Sequence, residues 1–174
     1  LDALFRAAIR VGKRARAETA VSRNSMSTSS LAIAHAEKRL GNLENRHILI
    51  VGLGEMGRLA LKRLEARGVQ NITLINRTDS RAATLSAAHN VAHRPYADLQ
   101  HAIAEADVVI SATASSQTVL DGAMVFGAMA TRPARELILL DIAVPRDIDP
   151  AVRVVPCVEL TDADELQSSL DEGL

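Results

Sequence analysis

Four aliphatic residues, Ile48-Leu49-Ile50-Val51, run straight into Gly52-Leu53-Gly54-Glu55-Met56-Gly57, and the amphipathic run Leu59-Ala60-Leu61-Leu64 follows at once. This is a buried strand emptying into a G-x-G-x-x-G turn that opens a helix. Each glycine has its own physical reason: Gly52 permits the tight turn, Gly54 lets the backbone approach a pyrophosphate, and Gly57 lets helix and strand pack closely. The helix N-terminus then faces the anion with unpaired N–H groups and a favourable dipole. A strand, turn and helix joined in this way predict a parallel sheet that binds a dinucleotide.

A second strand, Ile72-Thr73-Leu74-Ile75, ends in Asn76-Arg77-Thr78 about 20 residues after the glycines, the place where NAD sites hold an Asp or Glu for the ribose 2′-hydroxyl. A carboxylate there would repel a 2′-phosphate. A guanidinium pairs with one through its planar fork and lies over the adenine ring. Asn76, Arg77 and Thr78 therefore favour NADP(H), with the Thr78 hydroxyl and the Arg81 cation one helical turn on as further contacts. The competing reading is a solvated Arg77 in a turn, with Thr78 serving only as the helix N-cap.

From Arg46 onward the pattern alternates. Strands are predicted at His47 to Gly52, Asn71 to Asn76, weakly at Val91 to His93, then at Asp107 to Ser111, Glu136 to Ile142 and Cys157 to Leu160. Helices are predicted at Glu55 to Arg67, Asp79 to His89, Ala97 to Ala106 and Gly122 to Met129. Such alternation implies right-handed crossovers and an α/β fold, a doubly wound parallel sheet of Rossmann type. Ahead of it, an amphipathic helix from Leu1 to about Arg16 forms an N-terminal helical extension. A polar, serine-rich stretch from Glu18 to Ser30 and a helix from about Ser27 to Leu40 closed by Gly41-Asn42 come next. The expected division is residues 1–24, residues 25–161 for the NADP-binding domain, and residues 162–174. The chain begins on Leu inside an apparent helix, which reads as an excerpt of something longer.

Composition removes other classes. Of 174 residues 48% are apolar, only three are aromatic, and the net charge is −1, which leaves little means of stacking bases or of building a broad nucleic-acid surface. The cations Arg6, Arg10, Lys13 and Arg14 on the first helix form either a solvated face or an RNA contact. A single cysteine excludes an internal disulfide and a thiolate metal site, and the five histidines lack metal-ligand spacing, so no metal is expected and surface or cap roles suit them. No apolar run reaches the about 18 residues of a membrane span. A soluble, cytoplasmic protein is expected.

Ligands of doubly wound sheets lie beyond the carboxyl ends of the strands. The small, hydroxylated segment Ser111-Ala112-Thr113-Ala114-Ser115-Ser116 allows close approach to a ribose or nicotinamide, and Ser111, Ala112, Thr113 and Ile142 join Gly52, Leu53, Gly54, Glu55, Met56, Gly57, Asn76, Arg77, Thr78 and Arg81 as candidate cofactor contacts. Asp141 ends an apolar strand, where a carboxylate is costly unless hydrogen-bonded. Two readings stand: a carboxylate that orients a loop or faces the nicotinamide pocket, and, favoured, a cap on the turn from Val144 to Asp147, with Arg146 and Asp147 pairing with each other or with neighbours. Cys157 reads as a buried, inert thiol in the last strand. No catalytic nucleophile or acid–base pair emerges.

Four stretches together resemble glutamyl-tRNA reductase, the NADPH enzyme family that starts tetrapyrrole (porphyrin) synthesis. They are Ala8-Ile9-Arg10-Val11-Gly12-Lys13-Arg14 with Glu18-Thr19, then Gly52 to Gly57, then Asn76-Arg77-Thr78, and finally Asp141-Ile142-Ala143-Val144-Pro145-Arg146-Asp147-Ile148-Asp149-Pro150. The resemblance implies an oxidoreductase in which a thiolate attacks the glutamyl ester of charged tRNA and NADPH reduces the thioester to glutamate-1-semialdehyde. It also implies that the chain is the middle of that polypeptide. Residues 1–24 would be the end of the catalytic domain and the linker, and residues 162–174 the start of a dimerisation helix of a homodimer. The family's Thr-Cys-Asn-Arg motif is not in this sequence and Cys157 does not match it, so the chain is expected to bind NADPH without turnover. Glutamyl-tRNA would be met through the catalytic domain. Two alternatives remain: an NADP domain of a shikimate dehydrogenase-like enzyme, and a non-catalytic NADP-sensing module.

Overall fold

The computed structural model describes residues 28–132 and 135–171. The expectations for the first helix, its basic face and most of the serine-rich stretch lie outside them. Six parallel strands, β1 (Ile48–Val51), β2 (Ile72–Ile75), β3 (Ala92–His93), β4 (Val108–Ser111), β5 (Leu137–Asp141) and β6 (Val158–Asp162), form one sheet in the order β3-β2-β1-β4-β5-β6. The order in which successive strands are added reverses between β1 and β4. This is the switch point at which doubly wound folds place their ligands.

Side chains alternate across each strand, so both faces of the sheet must be covered. Ile48, Ile50, Ile72, Leu74, Val108, Ile110, Ile138 and Leu140 face one core, closed by residues of α1 (Thr28–Leu40), α2 (Glu55–Glu65), α3 (Asp79–His89) and α6 (Ala163–Asp171). Leu49, Val51, Ile75, Val109, Leu137 and Leu139 face the other, closed by α4 (Leu99–Glu105), α5 (Gly122–Ala130) and the 3-10 turn Pro150–Val154. Fully burying each such side chain stabilises the fold by about 1.5–3 kcal/mol. With almost no aromatic bulk, the two layers rest on branched aliphatics and on alanines such as Ala32, Ala60 and Ala102, each at most 1% exposed.

The helix ends follow local chemistry. Gly41 closes α1 at φ +73 with its N–H on the Glu37 carbonyl, and Asn90 closes α3 in the left-handed conformation at φ 52. Asp121 caps α5 by accepting from the Met124 N–H. At the start of α6, Asp162 Oδ1 accepts from the N–H groups of Asp164 and Glu165 while Glu165 Oε2 accepts from the Asp162 N–H, a reciprocal capping box. Leu166 then turns into the first core, 1% exposed, and α6 packs against α1. The helix expected between Ala97 and Ala106 begins instead as a 3-10 turn, Tyr96–Asp98, before α4.

One reading is overturned. Cys157 is exposed, not buried, and precedes β6 in a turn at φ 62, although its carbonyl accepts from the Leu137 N–H. A positive φ at a non-glycine residue marks a tight turn, and no apolar pattern announces it.

Candidate functional site

In register, the last residues of five strands form one row: Ile75 pairs with Val51, Val51 with Ser111, Ser111 with Asp141, and Asp141 with Asp162. Polar residues thus accumulate at the carboxyl edge of β4, β5 and β6. Above the β1–β4 switch point lies an open cleft of about 270 Å³, lined by Val51 to Gly54, Asn76 to Thr78, Arg81, Tyr96, Thr113 to Ser115 and Val119.

The three glycines of the turn are not equivalent. A Cβ on Gly57 would stand 2.0 Å from the Gly52 carbonyl oxygen, and one on Gly52, at φ +90, would stand 2.7 Å from the Ala112 oxygen. The protein's own packing demands both. Gly54 has an ordinary φ of −71, and a Cβ there would meet nothing nearer than the Ala112 oxygen at 4.0 Å. Only something seated in the cleft would need that space. Gly54 is also the N-cap of α2 and has no side chain to occupy the helix's first N–H groups, which suits an anion.

Asn76 joins the two halves of this wall. Its Oδ1 accepts from the Leu53 N–H at 3.2 Å and its Nδ2 donates to the Thr78 carbonyl at 3.0 Å. With its amide spent on backbone, Asn76 shapes the wall, and the exposed Arg77, Thr78 and Arg81 supply its charge and hydroxyl. Thr78 is the N-cap of α3, yet its hydroxyl makes no capping bond. Among the described residues, no carboxylate lines the cleft.

The opposite wall is held by two buried carboxylates. Asp141 accepts from the N–H groups of Ala143 at 3.1 Å and of Asp147 and Ile148, both at 2.9 Å, the capping role read from the sequence. Burial raises its pKa above the usual carboxylate range; the Ile148 and Ala143 N–H bonds oppose this and the charge of Asp147 adds to it. Asp147, 0% exposed, accepts from Ser111 Oγ at 2.8 Å, from the Thr113 N–H at 2.8 Å and from Thr113 Oγ1. Arg146 turns away to Asp162 and Asp164, both at 3.0 Å, so Arg146 and Asp147 pair with different partners.

The candidate contacts separate accordingly. Gly52, Leu53, Gly54, Asn76, Arg77, Thr78, Arg81 and Thr113 line the cleft. Glu55 instead lies in an adjoining hollow with Arg58, Lys62 and Arg81. Gly57 acts by packing, Met56 leans on the core and offers its carbonyl to Ser29 Oγ, and Ser111, Ala112 and Ile142 are buried. Sequence reasoning missed Tyr96 and Val119, and it reached Ala114 and Ser115 only as members of the segment 111–116. Ser115 belongs to the same hydroxylated segment, but its partner Arg77 is 38 residues away. The five histidines have separate partners: His47 Nε2 lies 2.8 Å from Thr73 Oγ1, His93 Nδ1 lies 3.1 Å from Ser86 Oγ, His89 pairs with Glu65, His35 with Glu159 and His101 with Glu105. No metal-binding cluster exists among the described residues, and no described helix is long and apolar enough to cross a membrane.

Comparison with known proteins agrees with this architecture. The family described as Shikimate / quinate 5-dehydrogenase matches residues 34–169. A glutamyl-tRNA reductase of Priestia megaterium is 39% identical over 171 residues, covering 98% of this chain and 38% of that protein. The chain thus spans about two-fifths of the length of that relative. The solved glutamyl-tRNA reductase of Methanopyrus kandleri superposes with a TM-score of 0.77 at 38% identity, over 97% of this chain and 42% of that one. The shikimate 5-dehydrogenase of Thermus thermophilus, solved with NADP(H) and shikimate, shares the fold at 18% identity and a TM-score of 0.55, over 82% of this chain and 52% of that one. The match to glutamyl-tRNA reductases is therefore the nearer one, and it falls on their nucleotide-binding part. The glycine cradle and these neighbours together support a nucleotide cofactor.

Proposed function

This chain belongs to the shikimate / quinate 5-dehydrogenase family, and from that premise we propose that it is the NADPH-holding domain of a glutamyl-tRNA reductase. The family match concerns the nucleotide-binding domain that such enzymes share, whereas the likeness to glutamyl-tRNA reductases runs over nearly the whole chain. One observation carries the choice of NADPH. The wall after β2 presents Arg77, Arg81 and Thr78 to a cleft with no acidic lining among the described residues, which suits a 2′-phosphate and offers no carboxylate to accept from a free ribose diol.

The residues divide the work. Gly54 and the first turn of α2 take the pyrophosphate, Arg77 and Arg81 neutralise the 2′-phosphate, and Thr113 to Ser115 close the cleft opposite them, with Ser115 Oγ 3.4 Å from Arg77. When bound, NADPH supplies the hydride that reduces a glutamyl thioester to glutamate-1-semialdehyde. The thiolate that forms this thioester from glutamyl-tRNA would come from a separate catalytic domain, and homodimerisation belongs to the larger protein. Within this chain, the protein's task is to bind, orient and exclude the wrong cofactor.

The test is kinetic. In a glutamyl-tRNA reductase containing this chain, Arg77→Glu lowers kcat/KM for NADPH by about 100-fold, the scale of a charge-assisted contact replaced by repulsion. Unchanged kcat/KM would refute the assignment. The chain alone, given glutamyl-tRNA and NADPH, forms no glutamate-1-semialdehyde; turnover would refute the placement of the thiol elsewhere.

A further inference from the structure

The loop after β4 reaches across the cleft to the cation on the other wall. Asp147 accepts from Thr113 Oγ1 and from the Thr113 N–H. Thr113 Oγ1 in turn accepts from the Ser115 N–H at 3.0 Å, and Ser115 Oγ accepts from Arg77 Nη2 at 3.4 Å and from the Gln117 N–H at 3.1 Å. A continuous hydrogen-bonded path thus runs from a fully buried carboxylate to the exposed guanidinium. Arg77 is a long, flexible side chain on an exposed turn, and ordering it before the ligand arrives removes part of the entropy that binding would otherwise cost.

We propose that Thr113 and Ser115, anchored by Asp147, are positioning residues that set the NADPH-over-NADH preference by holding Arg77 where the 2′-phosphate will sit. This rests on the cofactor reading above and deepens it. The geometry separates it from direct contact alone. A residue that touches only the nicotinamide or the ribose attached to it contributes equally to NADPH and NADH, which share those groups, so its loss weakens both together and leaves their ratio alone. A residue that places Arg77 changes the ratio. Neither side chain is a core element, since both Thr113 and Ser115 are partly exposed.

The experiment measures dissociation constants for NADPH and NADH by nicotinamide fluorescence on the 174-residue chain, for wild type, Thr113→Val, Thr113→Ser, Ser115→Ala and Arg77→Glu. Thr113→Val and Ser115→Ala are expected to lower the NADPH/NADH preference about three- to tenfold, the scale of one hydrogen bond to a charged group, and Thr113→Ser to restore it. If Arg77→Glu abolishes the preference while Thr113→Val and Ser115→Ala leave the ratio at the wild-type value, the positioning role is overturned and the cofactor reading stands. If wild type shows no preference, or Arg77→Glu leaves it intact, the cofactor reading itself fails. Should Thr113→Val not fold, Ser115→Ala alone decides between the first two outcomes.

Discussion

The wall of the cleft built by β1 and α2 is held by backbone sterics, Gly57 against Gly52 within six residues and Gly52 against the Ala112 backbone of the facing loop, whereas the wall after β4 is held by a carboxylate 34 to 36 residues away along the chain. In the first, missing side chains matter, because Gly52 and Gly57 leave no room for a Cβ. In the second, buried side chains matter, because Asp147 organises Ser111 and Thr113 from a different strand connection. A dinucleotide seat is thus made rigid in two ways. One resists an atom added at Gly52 or Gly57, and the other resists the loss of an acceptor.

Gly57→Ala should show the first kind of rigidity most severely. Its Cβ would lie 2.0 Å from the Gly52 carbonyl oxygen, so the turn must distort, with a loss of about 3 kcal/mol or more in urea unfolding. A smaller loss, under about 1 kcal/mol, would mean that the strand and helix can separate without cost and that the steric account of this wall is wrong.

Asp147→Ala probes the second wall and should cost about 2–3 kcal/mol, because buried donors on Ser111 and Thr113 lose their acceptor. The comparison sharpens if NADPH affinity falls in this variant even at temperatures where it remains fully folded by circular dichroism. Affinity equal to wild type would show that the loop holds its shape without the carboxylate.

Gly54→Ala separates packing from ligand space inside the first wall. Its methyl would stand 4.0 Å from the nearest protein atom, so stability should change by less than about 1 kcal/mol, the usual range for an N-cap glycine replaced by alanine. NADPH affinity should nevertheless fall about tenfold or more, as the methyl takes the place reserved for the pyrophosphate. Wild-type affinity would show that the cofactor does not approach this backbone.

The smallest effect is a pH dependence of the second wall. Asp141 titrates above its usual range because it is buried, so the folded state holds its proton at pH values where the unfolded chain has released it. Its contribution to stability is therefore fully present below the unfolded value of about 3.9 and is lost as pH rises through the higher folded value. Stability of wild type relative to Asp141→Asn should fall as pH rises through that window, read from urea midpoints. A difference that rises with pH would reverse the sign and contradict the burial argument.

These two walls also differ in how far they could be read from residues alone. The glycine spacing, the aliphatic strand ahead of it and the Asn76-Arg77-Thr78 ending are local, and local sterics and charge suffice to interpret them. The strand register that aligns Ser111, Asp141 and Asp162 is long-range, so the anchoring of Thr113 by Asp147 was invisible even though both residues stood in segments already singled out. Ile142, a candidate cofactor contact, is 4% exposed and follows β5 on the face of Ile138 and Leu140, a placement set by the alternation of the strand before it. Cys157 fails for another reason: a left-handed turn at a non-glycine residue leaves no mark in hydrophobic pattern.

The central claim is that Arg77 and its neighbours select a 2′-phosphorylated dinucleotide. It is tested most directly by the ratio of NADH to NADPH dissociation constants for the unmodified chain at one fixed ionic strength. A ratio of about ten or more is expected from a charge-assisted guanidinium–phosphate contact. A ratio near one, or a preference for NADH, would contradict it.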